Sequence, residues 1–330
     1  MKFLIAGLGS IGRRHLRNLR ALGQEDILLY RTHKATLPDA ELSGYPTFTE
    51  LSLALAEKPD GVIVANPTAL HLKVAIDAAK SGAALLIEKP ISDSLAGLGE
   101  LQSALKLSDK PAMVGFHFRF HPVLNQVKTL LESGQLGKPL SARAHWGEYL
   151  PDWHPWEDYR RSYAARAELG GGVVNTLSHP LDYLRWLLGE VESVSAWTGN
   201  LSDLELDVED HADILIRFAA GEAASLHLDY YQRPPSHTLE ITCEGGRIYW
   251  DNATGEAQVF HAQSGTADLL VPSEGFERNQ MFLDEMATFV RLCQGEMLPH
   301  CTLADGIRVQ ELVLAIKESA DQGGCMVRLA

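Results

Sequence analysis

The sequence predicts an α/β protein with a doubly wound parallel sheet, followed by an α/β domain with a large, mostly antiparallel open sheet. Short apolar runs alternate with helical patterns over the first third of the chain, which is typical of a parallel sheet. Strand-like segments then follow one another from about Val191 to Phe260, which is typical of antiparallel pairing. A chain of 330 residues is long enough for two domains, and the pattern changes near Phe120, which predicts domains at residues 1–120 and 121–330.

The composition of the chain indicates which binding partners to expect. The chain is 45% hydrophobic and 22% charged, as ordinary globular proteins are, so each domain should bury a packed core. The net charge of -14 disfavours nucleic acid and anionic membranes as partners. The four cysteines form no Cys-x-x-Cys pair, so we predict no metal centre and expect a reduced, cytoplasmic setting. No apolar run approaches the roughly 20 residues of a membrane span, and the run at Lys2 to Ala6 is too short for a signal peptide.

A glycine motif follows the first predicted strand and opens a predicted helix that ends near Leu22. The motif reads Gly7-Leu8-Gly9-Ser10-Ile11-Gly12. One glycine permits a tight turn, the next lets the backbone approach a pyrophosphate, and the third lets the helix pack on the strand. The N–H groups at the helix N-terminus would face the phosphates. We therefore predict a dinucleotide site at Gly7, Gly9, Ser10, Ile11 and Gly12, with a glycine-rich turn of no function as the alternative.

The end of the second predicted strand, Asp26 to Tyr30, indicates which dinucleotide is bound. NAD-specific sites usually carry an acid here, which binds the ribose hydroxyls. This chain has Arg31-Thr32 followed by His33-Lys34, and a guanidinium with a hydroxyl suits a 2′-phosphate that no carboxylate repels. We therefore predict NADP, bound by Arg31 and Thr32. The alternative is that Arg31 stacks on the adenine and that NAD is accepted as well.

Glu88-Lys89-Pro90 ends another apolar run, Ala83 to Ile87, which is predicted to be a buried strand. Pro90 ends the strand and favours an extended backbone at Lys89. The lysine is therefore expected at the carboxyl end of a parallel strand, where open α/β sheets bind their ligands. There its ammonium group can hydrogen-bond a substrate hydroxyl or carbonyl. A surface lysine at a strand end is the alternative.

The second half of the chain carries one acid–base candidate. Residues Val173 to Gly189 are predicted to be helical, so that Asn175, His179 and Asp182 share one face. His179 is the candidate, because the pKa of histidine ordinarily lies near neutrality.

An aromatic-rich segment precedes this helix and contains Trp153, Arg160 and Tyr163. Such a loop can stack sugar rings on its apolar faces and hold their hydroxyls with polar groups. Packing of a long loop against its own domain is the alternative, and the sequence favours neither.

The chain resembles the glucose–fructose oxidoreductase / inositol dehydrogenase (Gfo/Idh/MocA) family over nearly its whole length. The stretches that carry the resemblance are Gly7-Leu8-Gly9-Ser10-Ile11-Gly12, Asn66-Pro67-Thr68 with His71, Glu88-Lys89-Pro90, Gly115-Phe116-His117-Phe118-Arg119-Phe120-His121-Pro122, and Gly170-Gly171-Gly172 through His179 to Asp182. The resemblance implies an N-terminal Rossmann domain, NAD(P)-dependent oxidation or reduction of sugars or cyclitols, and a homodimer or homotetramer formed through the open sheet. It also implies that Asn66, Pro67, His71 and Glu88 bind the cofactor and that Arg119 positions the substrate.

The chain departs from the family's usual pattern at one position. Family members commonly carry an aspartate four residues before the histidine, where this chain has Asn175; Thr176 is the equivalent if the spacing is one residue shorter. Asparagine orients a hydroxyl but cannot accept its proton. We therefore expect Lys89 and His179, with Asn175, to carry hydride-transfer chemistry on a secondary alcohol. A dinucleotide-binding sensor without turnover, or a redox-cycling epimerase or lyase, is the alternative.

Overall fold

The computed structural model describes residues 1–32 and 37–329, which divide into two compact units. The first unit contains Met1–His117, Glu168–Gly170 and Glu277–Gln310, and the second contains Phe118–Ala167, Gly171–Phe276 and Glu311–Ala330. His33 and Lys34, which follow the predicted cofactor-discriminating arginine, lie outside the described residues. Every helix in the described ranges is too short or too polar to cross a lipid bilayer.

The regular elements alternate in the first part of the chain and are mainly strands in the second. The strands are β1 (Phe3–Ala6), β2 (Ile27–Tyr30), β3 (Thr47–Phe48), β4 (Gly61–Val64), β5 (Ala84–Glu88), β6 (Ala112–Gly115), β7 (Pro139–Gly147), β8 (Val191–Gly199), β9 (His211–Phe218), β10 (Ala223–Asp229), β11 (Ser236–Cys243), β12 (Gly246–Asp251), β13 (Glu256–His261), β14 (Thr266–Leu270) and β15 (Val327–Arg328). The α-helices are α1 (Ser10–Ala21), α2 (Leu51–Ala56), α3 (His71–Lys80), α4 (Leu98–Ser108), α5 (Pro122–Glu132), α6 (Val173–Thr176), α7 (His179–Leu188), α8 (Arg278–Cys293) and α9 (Leu303–Asp321).

The described strands of the first unit form a parallel sheet in the order β3-β2-β1-β4-β5-β6. β1, β4 and β5 are buried along their whole length, as expected of strands that crossover helices cover on both faces. The strand order reverses between β1 and β4, so a ligand crevice is expected outside the carboxyl ends of these strands. The predicted doubly wound parallel sheet is thereby confirmed.

Helix α8 completes the first unit from a position late in the sequence. It packs against α1 and β5, and its Phe289 ring lies 6.0 Å from the Phe3 ring of β1, centroid to centroid. Gly61 begins β4 where a side chain would meet both Phe289 and Cys293 of this helix. The fit between α8 and the sheet therefore requires a glycine at this position.

The described strands of the second unit form one sheet in the order β14-β13-β12-β11-β7-β10-β9-β8-β15. Neighbouring strands are antiparallel except β7 and β10, which run parallel. β11 and β12 form a hairpin at Gly245-Gly246, as the glycine pair predicts. The predicted large, mostly antiparallel sheet is confirmed.

This sheet has one covered face and one open face, which the alternation along β9 shows. Ala212, Ile214 and Ile216 are buried, whereas Asp213 and Leu215 between them are exposed. Helices α5, α6 and α7 contact the sheet and bury one set of side chains. The other set makes up the open face.

The segment from Val173 to Gly189 is two helices rather than the one that its spacing predicts. α6 ends at Thr176, and α7 begins at His179 after Leu177 leaves helical geometry at φ -95° and ψ 37°. Pro180 in the first turn of α7 lacks the N–H that a continuous helix would use, and it disfavours helical geometry before it. Asn175 and His179 therefore lie on separate helices, while His179 and Asp182 share α7.

A buried ion pair anchors α7 to the segment before α5. The Arg119 guanidinium donates through Nε and Nη2 to the Asp182 carboxylate, with the shortest N–O distance 2.7 Å. Both side chains are almost completely buried. Removal of one partner would leave the other charge buried without its counter-ion, which is more costly than the loss of a surface pair.

We predict that Asp182→Asn lowers the free energy of unfolding by about 3–5 kcal/mol, because Arg119 stays charged and buried. Glu190→Gln is the matched control, since Glu190 is half exposed in its ion pair with Arg185 of the same helix. Its cost should stay below about 1 kcal/mol. Urea denaturation of the two variants checks the difference, and equal costs would contradict the importance of the buried pair.

Candidate active site

The glycine motif turns the chain from β1 into α1 at the carboxyl end of the parallel sheet. Gly7 has φ +105°, a conformation that favours glycine, and a side chain there would collide with the backbone of Ala65 and Asn66. A Cβ atom at Gly12 would overlap the carbonyl oxygen of Gly7. These two glycines therefore fix the turn and the close packing of α1 at the end of β4.

Gly9 borders open space instead. Apart from Gly9 and its two chain neighbours, no described residue has an atom within 4 Å of the position that a Cβ would take there. Gly9 is also the N-cap of α1, and no described side chain caps the first turn, which Ser10 and Ile11 begin. Open space beside uncapped backbone N–H groups fits the pyrophosphate of a dinucleotide.

A carboxylate lies beside Arg31 at the end of β2, which the sequence did not predict. The buried Arg31 donates through Nη1 to Oδ1 of Asp39 at 2.6 Å, and Nη2 of Arg13 lies 3.8 Å from the same oxygen. Thr32 is exposed next to them. The expectation that no acid is near Arg31 is wrong, because Asp39, eight residues further along the chain, contacts its guanidinium.

Glu88 points into the first unit at the end of β5. Nε2 of His15, on α1, lies 2.6 Å from Oε1 of Glu88. Burial opposes the charge on Glu88, but the hydrogen bond with His15 and the nearby Lys89 outweigh it, so the pKa of Glu88 is lowered. Glu285 of α8 lies near this pair, and burial, with the charge of Glu88, holds its pKa well above the ordinary value.

His71 joins the loops that follow β4 and β5. Its Nε2 lies 2.7 Å from the carbonyl oxygen of Asn66, and its Nδ1 lies 2.9 Å from the carbonyl oxygen of Pro90. Burial lowers the pKa of His71, although these backbone hydrogen bonds oppose the shift. The Lys89–Pro90 peptide bond is cis, and Lys89 is half-buried. The structure thus brings the glycine turn, Asn66-Pro67, His71 and Lys89 together along the ends of β1, β4 and β5.

In the second unit, His179 begins α7 among aromatic rings. Its imidazole meets the Phe118 ring edge-on with centroids 5.0 Å apart, and it stacks beside Trp146 at 5.7 Å. Nε1 of Trp146 donates to Glu148 at 2.8 Å. These contacts hold the imidazole in one orientation, which a general acid or base requires.

Asn175 and Thr176, the two candidates for the family aspartate, make different contacts in α6. Nδ2 of Asn175 donates to the carbonyl oxygen of Gly171 at 3.1 Å. The Thr176 side chain opposes the rise that burial causes in the pKa of Tyr230. Both side chains are buried.

The aromatic-rich segment contains residues in different environments. Trp153 is partly buried and meets Tyr230 edge-on at 5.6 Å. Tyr163 is also partly buried. Arg160 is exposed, and its guanidinium pairs with Asp158 and Glu205. The structure therefore places Arg160 among surface ion pairs and Arg119 in the buried pair with Asp182.

Two residues that contact the predicted site were missed from the sequence, Asp39 and His15. His15 stands three residues after Gly12, so it faces the sheet one helical turn into α1, and this spacing is a usable signal. Asp39 has no such signal, because its contact with Arg31 depends on how the intervening segment folds.

The strand order and the glycine turn define the first unit as a dinucleotide-binding Rossmann domain. Residues 1–116 match the model of the oxidoreductase family with an NAD-binding Rossmann fold, and residues 124–249 match that of the Gfo/Idh/MocA C-terminal domain. The chain belongs to the Gfo/Idh/MocA family of oxidoreductases, which confirms the resemblance seen in the sequence.

Known proteins resemble the chain over its whole length. A myo-inositol 2-dehydrogenase from Thermotoga maritima is 28% identical over 342 residues, covering 98% of this chain and 97% of that protein. The structure of levoglucosan dehydrogenase with NADH and levoglucosan has a TM-score of 0.87 at 21% identity over 99% of each chain. That of WlbA dehydrogenase from Bordetella pertussis with NADH and UDP-GlcNAcA has a TM-score of 0.82 at 22% identity, covering 100% of this chain and 99% of that chain. The structural likenesses show that the fold is shared.

We predict that Gly9→Ala weakens cofactor binding, whereas Gly12→Ala lowers thermal stability. The new methyl group at position 9 would enter the space for the pyrophosphate, so NADH affinity should fall about tenfold or more while Tm changes by less than about 2 °C. The methyl group at position 12 would overlap Gly7, so Tm should fall by several degrees. Fluorescence titration and thermal melts test the pair. Unchanged NADH affinity in Gly9→Ala would contradict this placement of the pyrophosphate.

Proposed function

We propose that the chain is an NAD(P)-dependent dehydrogenase acting on a secondary alcohol of a sugar, cyclitol or activated sugar. The observation that carries the proposal is Lys89 at the carboxyl end of β5, in a sheet whose glycine turn fits a dinucleotide. The names of relatives, myo-inositol 2-dehydrogenase and levoglucosan dehydrogenase, support the substrate class. The nicotinamide, when bound, supplies the hydride acceptor.

Lys89 hydrogen-bonds the substrate oxygen and stabilises the negative charge that develops on it. Its backbone is held on both sides, since the Lys89 N–H lies 3.2 Å from Oε2 of Glu88 and the Pro90 carbonyl binds His71. Because its backbone is fixed, the flexible Lys89 side chain always extends from the same point, which helps to position its ammonium group at the substrate oxygen.

His179 accepts the proton of the substrate hydroxyl. Phe118 and Trp146 hold its ring, and the buried pair of Arg119 with Asp182 fixes the helix that carries it. In this proposal Arg119 is a positioning residue that acts through Asp182. Asn175 orients the hydroxyl without accepting its proton, because an amide cannot do so.

Trp153 and Tyr163 offer partly buried aromatic surface to the substrate ring. Arg160 contributes indirectly, because its pairs with Asp158 and Glu205 stabilise the segment that carries these two aromatic residues. In this proposal the protein therefore recognises the substrate through contacts with its ring and not through a charged group.

For the cofactor we propose a modest preference for NADP over NAD. The buried Arg31 guanidinium at the end of β2 suits a 2′-phosphate, and Asp39 partly neutralises it. The exposed Thr32 hydroxyl adds a second donor. The preference is small because the phosphate must compete with Asp39 for the same guanidinium.

We also propose that copies of the chain associate through the open face of the second sheet. Trp197, Leu215, Tyr249, Phe260 and Leu269 are exposed, and the strand register places them on this face. They lie toward the two ends of the sheet, on β8–β9 and β12–β14, and exposed apolar side chains on one face are typical of an interface between subunits.

We predict that Lys89→Met lowers kcat at least about 100-fold on any polyol that the wild type oxidises, because the developing charge loses its ammonium partner. His179→Gln should lower kcat by about 100-fold or more, because the proton loses its acceptor. Cofactor reduction measured with a panel of inositols, levoglucosan and other sugars checks both.

Lys80→Met is the matched control, since Lys80 is an exposed lysine of α3 in the same unit. It should keep wild-type kcat. Undiminished activity in Lys89→Met would sink the assignment, and so would substrate conversion with no net change in the cofactor, which would indicate a redox-cycling epimerase or lyase.

We predict that Asp39→Asn and Arg31→Asp shift cofactor preference in opposite directions. Asp39→Asn leaves the guanidinium available to a 2′-phosphate, so the ratio of kcat/KM for NADP to that for NAD should rise severalfold. Arg31→Asp should reverse the preference toward NAD, because a carboxylate repels the phosphate. Arg17→Gln, in an exposed ion pair on α1, should leave the ratio unchanged. An unmoved ratio in Arg31→Asp would show that Arg31 does not discriminate.

A further inference from the structure

Two neighbouring strands place imidazoles and carboxylates together on the open face of the second sheet. β9 carries His211 and Asp213, and β10 carries Asp229 and His227 directly opposite them. Residues two apart on a strand point to the same face, so the side chains meet. His211, Asp213 and His227 are called the His-Asp-His cluster below. None of them belongs to the candidate active site.

Two ring nitrogens of the cluster converge on one carboxylate. Nδ1 of His227 lies 2.8 Å from Oδ1 of Asp213, and Nε2 of His211 lies 3.1 Å from Oδ2 of Asp213. The three residues can each offer one ligand atom so that all three atoms lie within 4.8 Å of one another. Ligand atoms of a tetrahedral zinc site, with bonds of roughly 2.1 Å, stand about 3.4 Å apart. Small movements of these side chains would therefore bring the three ligand atoms to the spacing that a bound ion requires.

Each histidine of the cluster is oriented by an oxygen on its far side. Nδ1 of His211 lies 2.7 Å from the Tyr231 hydroxyl, and Nε2 of His227 lies 3.1 Å from Oδ2 of Asp229. Asp229 is buried, and its Oδ1 accepts the backbone N–H groups of Tyr231 and Gln232. Metal-binding histidines usually donate their second ring N–H to such an oxygen, which fixes the tautomer and the ring direction.

We propose that the His-Asp-His cluster binds one divalent transition-metal ion of the zinc type, through Nε2 of His211, Nδ1 of His227 and the Asp213 carboxylate. Two imidazoles and one carboxylate are ligands that Zn²⁺ accepts readily. Asp213 is 60% exposed in the single chain, so an ion can reach the cluster before copies associate through this face. Three protein ligands leave a fourth position for water.

Asp229 is an outer partner in this site rather than a ligand. It is almost completely buried, backbone N–H groups hold its Oδ1, and its Oδ2 lies 3.1 Å from Nε2 of His227 on the side of the ring away from Asp213. His145 on β7 stacks parallel to His227 with centroids 4.8 Å apart, while its Nε2 bonds Gln232. His145 therefore supports the His227 ring from the side.

Metal binding at this site is coupled to a proton. In the metal-free protein the hydrogen bonds to Asp229 and Asp213 raise the pKa of His227, against the effect of burial. When Nδ1 binds the ion, its N–H bond breaks and the proton leaves to solvent, so imidazolium and Zn²⁺ become a zinc-bound imidazole and one released proton. Asp213, Asp229, His145 and His211 surround the His227 ring.

Calorimetric titration of zinc chloride into chelator-treated full-length protein tests the proposal. We expect one saturable site per chain. His227→Gln and Asp213→Asn each remove a ligand and should weaken binding about tenfold or more. Tyr231→Phe keeps the ring but removes the outer oxygen of His211, and it should weaken binding by roughly 10-fold as outer partners do.

His261→Gln is the matched control, because His261 pairs with a single carboxylate, Asp268, at 2.9 Å on the same sheet. Its zinc affinity should equal that of the wild type. Titration with Co²⁺ distinguishes these ligands from thiolate, which adds a near-ultraviolet charge-transfer band, and Cys325→Ser tests the exposed thiol. The proposal is overturned if the wild type shows no saturable site, if His227→Gln binds as tightly as the wild type, or if Cys325→Ser abolishes binding.

Discussion

The arrangement of the candidate cofactor site depends on one buried imidazole between two strand ends. The ring nitrogens of His71 lie within hydrogen-bond distance of the carbonyl oxygens of Asn66 and Pro90, in the loops that follow β4 and β5. The ring is buried, so bulk solvent does not compete for these contacts, which oppose the lowering of its pKa by burial. Gly7 packs against Asn66, and Lys89 precedes Pro90. His71 therefore sets the spacing between the glycine turn and the lysine.

Features that depend on local pattern were predictable from the sequence. The glycine turn, the parallel strands and the Gly245-Gly246 hairpin each follow from backbone requirements that a few adjacent residues satisfy. The position of Lys89 at a strand end follows from an apolar run and the proline after it. For the candidate site, the residues of the first unit could thus be chosen correctly as neighbours, although their roles toward a cofactor remain predictions.

Features that depend on chain segments meeting in space were not predictable. The contact between Asp39 and Arg31 joins residues eight positions apart in no common helix or strand, and spacing gives no sign of it. The interruption between α6 and α7 overrides a spacing that suits one helix, because Pro180 cannot continue the backbone ladder. The sequence gives no local motif for the His-Asp-His cluster, because its residues come from two strands that meet in antiparallel register. The alternation of buried and exposed residues within each strand could be predicted from the sequence, but the register between the two strands could not.

The late position of α8 has a consequence for how the protein is made. During synthesis the parallel sheet and α1 leave the ribosome long before α8, whose Phe289 packs beside Phe3 and against the start of β4. Until α8 arrives, this apolar flank has only solvent or other proteins to contact, and nascent chains with such surfaces are prone to aggregate. The Rossmann unit can therefore bury this flank only after nearly the whole second sheet has been translated. Its folding is completed late in synthesis, although most of its residues are made first.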